Sequence, residues 1–408
     1  IEVFKGITNP GNKDINYYYP TSVLVTGQDI IFFWVARMIM AGMEYKHEKP
    51  FSDVYFTGMV RDKQGRKMSK SLGNSPDLLD LIERFGADAV RFGIMISSPA
   101  GNDLLFDESS CEQGRNFNNK IWNALKLVKM WEERQAVSNG QTGDSFAINW
   151  FENRLNEVKA EVESLYKDFR LSEALKTIYS LIWDDFCSWY LEWVKPEFEK
   201  PIDKTVYEKT VGFFEELMQL LHPFMPFVTE EIYHTLKDQK EDLVIKQFAT
   251  AQPVDKSVLK NGSLLKEVIT AIRDAKVKAQ LKPRDIIRLH ILSAHTDTYK
   301  NIGTILSKQV SAEEILYTNN IVSNSITVIV QKDKLFIESA TKLDTGAQKE
   351  QLLKDLDYQK GFLASVEKKL SNERFVQNAK PEVVAAEQKK KADAEAKIKA
   401  IEESLASL

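Results

Sequence analysis

A helical spacing of apolar residues through the middle of the chain is the strongest constraint that the sequence places on its fold. From about residue 113 to about residue 250, apolar side chains recur every three or four positions, which predicts helices that each bury one face. The residues of these series are Phe117, Ile121, Leu125, Val128, Leu171, Leu175, Ile178, Ile182, Phe186, Trp189, Phe213, Leu217, Leu220 and Leu221. Residues 113–250 are therefore predicted to form an α-helical bundle.

Composition limits the class of protein. Hydrophobic residues make up 43% and charged residues 28% of the 408 positions, which is the balance of a soluble globular protein. The longest apolar stretch, residues 30–43, contains Arg37 and is too short to span a bilayer. Cys111 and Cys187 are the only cysteines, so a disulfide framework and a zinc site of three or four thiolates are excluded. Since no secretory signal opens the chain, we expect a cytoplasmic protein with no membrane partner.

Residues 1–62 have the pattern of a parallel α/β sheet. A strand-like run at residues 23–26 leads into the turn Gly27–Asp29, a long apolar helix and a second strand at residues 54–60. This order predicts two parallel strands joined by a helix.

Residues 63–112 form a second segment, which opens with a charged loop. We expect a helix after this loop, with Ser75 as its cap and Pro76 at its first position. Gly86 is expected to end that helix, because glycine adopts the left-handed conformation that closes many helices.

Residues 251–341 are predicted to form a small α+β domain. A helix is expected at residues 264–280, followed by alternating strands at residues 286–292, 326–330 and 335–337. The segment also has a locally basic edge that could contact phosphates. Its residues are Arg273, Lys276, Lys278, Lys282 and Arg284.

Residues 342–408 have the seven-residue repeat of a coiled coil. The repeating positions are Leu352, Leu356, Gln359, Leu363, Val366, Leu370, Lys391, Ala394, Ile398, Ile401 and Leu405. A turn at residues 372–381 would separate two helices of about 25 residues, each reaching roughly 35–40 Å. The pattern predicts an antiparallel coiled-coil hairpin.

The loop at residues 67–71 is the clearest candidate for chemistry. It holds two lysines and two serines between Gly65 and Gly73. Mobile ammonium groups of this kind suit a clamp that stabilises charge on a departing pyrophosphate. The alternative is a solvated basic surface loop, which composition alone favours.

Two further candidates lie in the first segment. Gly27 and Asp29 follow a strand and precede a helix, where a carboxylate can accept hydrogen bonds from both hydroxyls of a ribose. From the residues alone, a plain helix cap is the favoured role for Asp29. Trp34 would line an amino-acid pocket or belong to the core, and the two roles are compatible.

The loop sequence Lys67-Met68-Ser69-Lys70-Ser71, followed by Leu-Gly-Asn, is similar to the signature of the class I aminoacyl-tRNA synthetases. The wider chain resembles the valyl-tRNA synthetases within that class. The stretches that carry this resemblance are residues 19–27, 29–38, 65–74, 114–123 and 372–376. The likeness extends over essentially the whole chain.

The resemblance implies roles for the candidate residues. Lys70 corresponds to the lysine that stabilises the ATP phosphates while the aminoacyl-adenylate forms, and Lys67 and Ser69 support it in the same loop. Gly27 and Asp29 correspond to the turn that holds the adenosine ribose. Trp34 corresponds to an aromatic wall of the amino-acid pocket. ATP with Mg²⁺ is the expected co-substrate, and no bound metal is predicted in this chain.

The resemblance also gives the segments an expected identity. The fold class is a mostly α multidomain protein containing a partial α/β Rossmann-like catalytic fold. Residues 1–62 would be the C-terminal half of that catalytic domain, and residues 63–112 the signature loop with a region that contacts the tRNA stem. Residues 113–250 would be the anticodon-binding bundle, residues 251–341 a small α+β domain, and residues 342–408 a coiled-coil tRNA-binding arm. The expected partners are tRNA(Val), ATP and valine, and the expected state is a monomer.

Departures from the family limit this interpretation. The His-Ile-Gly-His element that binds ATP opposite the signature loop is absent, and the five histidines of the chain form no such cluster. The inserted editing domain is absent as well, and the chain begins with Ile-Glu-Val-Phe. We therefore expect a C-terminal portion of valine–tRNA ligase that is inactive alone and competent mainly for tRNA binding. A non-catalytic RNA-binding or scaffold protein and a small-molecule nucleotidyltransferase are the alternatives.

Basic residues of the bundle are a further candidate for RNA contact. Lys120, Lys126 and Lys129 fall near one another on one predicted helix, beside Trp122. Such groups can bind phosphates and stack on an unpaired base. An ordinary amphipathic helix, with its lysines in water, is the favoured explanation for these residues.

Overall fold

The computed structural model describes residues 9, 11–98, 101–136, 145–197, 199–238, 240–339, 345–372 and 381–406. The chain is mostly helical, with small sheets. It divides into two compact units, the first made of residues 1–139 and 151–254, the second of residues 140–150 and 255–408. Among the described residues, no helix is both long and apolar enough to cross a membrane.

The first unit begins with a small parallel sheet. Its elements are α1 (Lys13–Tyr18), β1 (Thr21–Gly27), α2 (Ala36–Lys46) and β2 (Phe51–Thr57). β1 and β2 run parallel, as the sequence predicted, and Gly27 at the end of β1 is paired with Thr57 at the end of β2. The helix between them starts irregularly, with a 3₁₀ turn at Gln28–Ile30 and a π turn at Ile31–Val35.

The signature loop lies between short strands and two helices. The elements are β3 (Val60–Arg61), α3 (Leu78–Phe85), α4 (Ala87–Ile96) and β4 (Leu104–Leu105), with β3 parallel to β4. The predicted cap of α3 was wrong. Asp77 is the cap and accepts hydrogen bonds from the backbone of the first turn, because its carboxylate reaches those amides. The predicted end at Gly86 is confirmed, with φ of 90°.

The rest of the first unit is mostly helical, and residues 145–150 of the helix that begins at Ser145 belong to the second unit. The elements are α5 (Glu108–Glu132), β5 (Gln135–Ala136), α6 (Ser145–Lys167), α7 (Leu171–Ser180), a π-helix (Leu181–Tyr190), α8 (Leu191–Val194), β6 (Ile202–Asp203), α9 (Lys204–Leu221), α10 (Pro226–Leu236) and a 3₁₀ turn (Leu243–Ile245). An aromatic cluster fills their core. Phe186 is fully buried and lies 5.2–5.6 Å, centroid to centroid, from Phe151, Tyr190 and Phe214.

The second unit contains a mixed four-stranded sheet. Its elements are α11 (Lys256–Lys278), β7 (Ile287–Leu292), α12 (Thr296–Val310), β8 (Ala312–Tyr317), β9 (Ile326–Val330) and β10 (Asp333–Ser339), with strand order β8-β7-β10-β9. The strand predicted at residues 326–330 is confirmed. The sequence reading missed α12 and β8.

The prediction of a basic edge on this unit is wrong for Lys276. Lys276 is buried, and its ammonium donates hydrogen bonds to the carbonyls of Pro283, Asp285 and Val310 at 2.7–3.0 Å. Burial lowers the pKa of this lysine. Since all three ammonium donors are used, Lys276 has none left for a phosphate.

Two long helices, α13 (Thr345–Leu370) and α14 (Pro381–Ala406), end the second unit. Cross-helix ion pairs join Lys360 to Glu402 and Lys391 to Glu367, so the two helices run antiparallel. Of the predicted seam, Val366, Ala394 and Ile401 are buried. The expected connecting turn at residues 373–380 lies outside the described residues.

Candidate functional site

The first part of the site is the carboxyl end of β1. Gly27 ends the strand, and a Cβ placed there would lie 2.7 Å from Oδ1 of Asp29. Real Cβ atoms do not approach an oxygen so closely, so the absence of a side chain at Gly27 leaves room for the Asp29 carboxylate. Asp29 is exposed at this edge of the sheet, where ligands of parallel sheets bind.

The helix-cap role considered for Asp29 is wrong. None of the helical turns that run from Gln28 to Lys46 has a cap hydrogen bond from a side chain. Asp29 lies in the first of these turns, and its carboxylate is exposed. The Asp29 carboxylate is therefore exposed at the surface, where the predicted hydrogen bonds to a ribose would form.

Trp34 lies in the π turn that follows, a form of helix that is often found at functional sites. Its side chain is 56% exposed, and the neighbouring Phe32 is 84% exposed. Val35 is the buried residue of this turn. Trp34 is thus a surface residue in this chain rather than part of a closed core.

The signature loop is built on a tight hairpin. Arg61 and Lys67 form an antiparallel bridge, and the Met68 amide donates to the Val60 carbonyl at 3.5 Å. The turn between them contains Gly65, whose φ of 77° lies in the left-handed region that glycine adopts without strain. The hairpin therefore fixes the position of the backbone where the loop after Lys67 begins.

The Asp62 carboxylate stabilises the hairpin through hydrogen bonds. Its carboxylate accepts hydrogen bonds from the Gln64 and Arg66 amides at 3.0 and 2.9 Å. It also accepts from the Asn74 side chain at 3.0 Å and from Nε of Arg66 at 2.7 Å. The side-chain hydrogen bonds, that from Asn74 first, hold the pKa of the Asp62 carboxyl well below its ordinary value. This carboxylate is a structural anion and not a proton donor at neutral pH.

Asn74 closes the loop at its other end. Its side-chain carbonyl accepts from the Ser69 amide at 2.9 Å, and its amide group donates to the Lys67 carbonyl at 3.3 Å as well as to Asp62. The Ser69 hydroxyl in turn accepts from the Leu72 amide at 3.2 Å. The sequence motif contains Asn74, but no role was predicted for it. Its position directly after Gly73, which adopts φ of 63° in the structure, was the available sequence signal.

The base of the loop is tied to the chain around β4. Arg61 forms an ion pair with Asp103, and Lys63 forms one with Asp107 at 2.8 Å. A Cβ on Gly58 would meet the backbone of Asn102 at 1.8 Å. These contacts fix where the hairpin leaves the sheet, while Lys67 remains exposed.

The predicted site residues thus form two groups, one at the carboxyl end of β1 and one in the hairpin that follows β2. Gly27 and Asp29 adjoin Thr57, the partner of Gly27 at the end of β2. The hairpin starts at Arg61, four residues later, and four residues span at most about 14 Å. Lys67 and Ser69 belong to the second group. The backbone of Lys70 begins a 3₁₀ turn, and its side chain lies outside the described part of the chain.

One pair in the helix bundle combines a cation with a partly buried aromatic ring. The Lys120 ammonium lies 5.3 Å from the ring centroid of Trp183, which stacks on Tyr179 at 5.6 Å. Lys120 was predicted to lie beside Trp122, but residues two apart on a helix do not face each other, and its aromatic neighbour is Trp183 of the π-helix. Lys129 pairs with Glu132.

Family models match three parts of the chain. Residues 4–107 match "tRNA synthetases class I (I, L, M and V)", and residues 149–291 match "Anticodon-binding domain of tRNA ligase". Residues 344–408 match "Valyl tRNA synthetase tRNA binding arm".

Curated relatives are similar over the whole chain. A valine–tRNA ligase of Parabacteroides distasonis is 48% identical over 100% of this chain and 46% of its own length. One of Phocaeicola vulgatus is 49% identical over the same shares, and one of Enterococcus faecalis is 36% identical over 99% of this chain and 47% of its own length. The chain therefore spans about half the length of these relatives.

A solved ternary complex titled LeuRS-tRNA-LeuAMS, from Agrobacterium radiobacter, aligns over 73% of this chain and 38% of that chain. The TM-score is 0.45 at 16% identity.

Proposed function

We propose that this chain, which belongs to the valine–tRNA ligase family, is the part of such an enzyme that closes on the ATP phosphates and holds the tRNA. The complete enzyme would activate valine with ATP and transfer it to tRNA(Val). The similarity to valine–tRNA ligases along the full chain supports this assignment. The order of the three matched family models supports our assignment of the chain to the C-terminal part of such an enzyme.

The observation that carries the catalytic part of the proposal is the braced loop at the edge of the parallel sheet. Asp62 and Asn74 make six hydrogen bonds of 2.7–3.3 Å in the loop, four of them to its backbone. Rigid support of this kind lets a loop present charge without reorganising during the reaction. A merely solvated basic loop would not need it.

We assign the loop an electrostatic role. The Lys70 ammonium would stabilise negative charge on the ATP phosphates as pyrophosphate departs, with Lys67 and Ser69 supporting the same phosphates. Asp29 would accept hydrogen bonds from the ribose, across the space that Gly27 leaves open. Trp34 would line the valine pocket. Magnesium would arrive with ATP, and its charge would add to that of the lysines.

The exposed apolar face of the first segment supports the proposal that this is half of a catalytic domain. A two-stranded sheet is only marginally stable by itself, and here it carries a large uncovered surface. Its exposed apolar residues are Tyr17, Tyr18, Val25, Phe32, Phe33, Trp34, Met38, Ile39, Met40, Met43 and Tyr45. We infer that further segments of the complete enzyme cover this face and complete the ATP and valine sites.

The remaining segments would bind the tRNA. We propose that the bundle of residues 113–250 contacts the anticodon region, and that residues 342–408 form the arm that packs against the tRNA body. Residues 63–112 would contact the acceptor stem, and residues 251–341 would join the bundle to the arm. The chain is proposed to act as a monomer.

Binding of tRNA by the chain tests the RNA half of the proposal. A mobility-shift titration should give tighter binding of a tRNA(Val) transcript than of a transcript for another amino acid, with affinity falling as salt rises. Removing residues 342–408 should weaken binding while the tryptophan fluorescence of the bundle stays native. Equal affinity with and without these residues would reject the arm's role.

Kinetics of a full-length enzyme that contains this chain test the site residues. Lys70→Ala should lower the rate of adenylate formation by about 100-fold or more, the usual effect of losing one charge-stabilising donor. Asp29→Asn should raise the KM for ATP more than that for valine, and Trp34→Ala should do the reverse. An unchanged rate in Lys70→Ala would reject the role of Lys70. A parent protein that forms no adenylate would favour the alternative, a non-catalytic RNA-binding protein of synthetase architecture.

A further inference from the structure

A second cluster of polar side chains lies in the first unit, at the end of the bundle. Glu230 and His234 are four residues apart on α10, so they lie on the same face of that helix. Asp242 reaches them from the segment just before the Leu243–Ile245 turn. One ligand atom from each of the three residues lies within 4.8 Å of the other two.

The distances in this cluster suit a shared cation. Nε2 of His234 is 3.2 Å from Oε1 of Glu230 and 3.2 Å from Oδ1 of Asp242, with which it forms a hydrogen bond in the absence of an ion. The ligands of a tetrahedral ion with bonds of about 2.0–2.1 Å lie roughly 3.3–3.4 Å apart. The histidine is thus at ligand spacing from both carboxylates.

Backbone contacts hold the carboxylate in place. Oε1 of Glu230 accepts a hydrogen bond from the Leu243 amide at 2.6 Å. This bond ties α10 to the segment that carries Asp242. Orientation of a ligand by a second hydrogen bond is typical of metal sites in proteins.

A second histidine faces the other oxygen of Glu230. Nε2 of His222 is 3.8 Å from Oε2 of Glu230, and its Nδ1 is 2.8 Å from the Thr229 hydroxyl. That hydroxyl donates its only proton to the Met225 carbonyl at 2.8 Å, so it accepts from the histidine. Nδ1 therefore carries a proton, and in the neutral ring Nε2 presents a lone pair toward the carboxylate.

The surroundings favour a cation at this place. Glu231 adds a further negative charge to the recess that His222, Glu230 and His234 line. Two nearby cations, Lys237 and Lys246, are directed at Glu215.

We propose that Glu230, His234 and Asp242 bind one divalent transition-metal ion of the zinc type, with His222 supporting the Glu230 carboxylate from its other side. Mixed nitrogen and oxygen ligands suit zinc, whereas magnesium prefers oxygen alone and octahedral geometry. The bound ion would join α10 to the Leu243–Ile245 turn and fasten the end of the bundle. No bound metal was predicted from the sequence, because these histidines and acidic residues are separated along the chain.

Titration with Zn²⁺ tests the site on the whole chain after treatment with a chelator. Calorimetry should show one site per chain with Kd in the range of about 0.1–10 μM, unchanged by millimolar Mg²⁺. Co²⁺ in place of Zn²⁺ should give the visible absorption of a four-coordinate ion. An absence of saturable Zn²⁺ binding, or displacement by Mg²⁺, would overturn the proposal.

Variants assign the ligands. His234→Gln and Asp242→Asn should each raise Kd by about tenfold or more, and His222→Gln should raise it as well. The matched controls are Glu231→Gln, a neighbour in the recess, and His295→Gln, an exposed histidine of the second unit. Both should bind as the parent chain does. Equal Zn²⁺ affinity in His234→Gln and the parent, with native circular dichroism, would mean that the ion binds elsewhere.

Discussion

The aromatic residues of the α2 region and those of the bundle have opposite environments, although both belong to the first unit. Phe186 of the bundle is fully buried among other rings, whereas Phe32 beside α2 is 84% exposed. The bundle closes its own core between α5 and α10. The α2 region presents its aromatics on a two-stranded sheet with too few elements to cover them.

The difference indicates where this chain is complete in itself and where it depends on other segments. Large contiguous apolar surfaces on a protein mark sites of interaction. The bundle closes a core from its own residues, while the two-stranded sheet carries the proposed ATP-site residues beside an apolar face that this chain leaves uncovered. Four predictions test this contrast, beginning with the largest effect.

Truncating a bundle ring should destabilise the first unit strongly. Phe186→Ala removes a fully buried ring and leaves a cavity among Phe151, Tyr190 and Phe214, which costs about 3–5 kcal/mol. Urea unfolding followed by tryptophan fluorescence measures it, because every tryptophan except Trp150 lies in the first unit.

The matched control is Phe32→Ala, which makes the same chemical change at an exposed ring. It should leave the free energy of unfolding within about 0.5 kcal/mol of the parent. Comparable losses for the two variants would remove the contrast between the regions.

Loss of the Asn74 side chain should loosen the signature loop without unfolding the unit. Asn74→Ala removes hydrogen bonds to Asp62, Lys67 and Ser69. A loss of about 1.4 kcal/mol in local stability raises the population of the open loop tenfold. Tryptic cleavage at Lys67 should therefore speed up about tenfold, with the melting temperature unchanged. Unchanged cleavage would show that other contacts hold the loop.

Acid should release the loop only at a pH below the ordinary pKa of an aspartate. The pKa of Asp62 is lowered in the folded chain, so its contribution is complete above the ordinary value of 3.8 and is lost as pH falls through the lower folded value. The amide resonance of Arg66, which donates to Asp62, should titrate with a midpoint below 3.8. A midpoint at or above that value would contradict the hydrogen-bonded arrangement, and Asp62→Asn should abolish the transition.

Replacing Trp34 should have the smallest effect on this chain. Its side chain is 56% exposed, so Trp34→Ala should change the free energy of unfolding by no more than about 0.5 kcal/mol. A loss above about 2 kcal/mol, measured by the same urea titration, would show that Trp34 already packs in a closed core. The role proposed for it in a pocket completed by other segments would then fail.

Sequence reasoning was most successful where local pattern decides structure. The strand at residues 326–330 and the helix end at Gly86 were predicted at their observed positions, because alternation and a left-handed glycine are local signals. The apolar seam of the coiled coil gave the buried positions Val366, Ala394 and Ile401. The predicted cap at Ser75 failed because Asp77, two residues later, competes for the same amides.

Long-range contacts could not be predicted from pattern. Lys276 looked like part of a basic surface, and only the folded chain surrounds its ammonium with three carbonyls. Likewise Asp242 has no sequence signal that relates it to His234. The loop motif identified Lys67 and Ser69 as candidates, but the hydrogen bonds that make Asp62 and Asn74 their support depend on the closed hairpin.

Valine-dependent exchange of pyrophosphate into ATP, measured on the isolated chain, tests the central claim most directly. We predict no exchange above that of a Lys70→Ala control, while the same preparation binds tRNA(Val), because we propose that further segments complete the ATP and valine sites. Robust exchange that requires valine and is lost in Lys70→Ala would contradict the claim that the exposed α2 face needs further segments to complete the site.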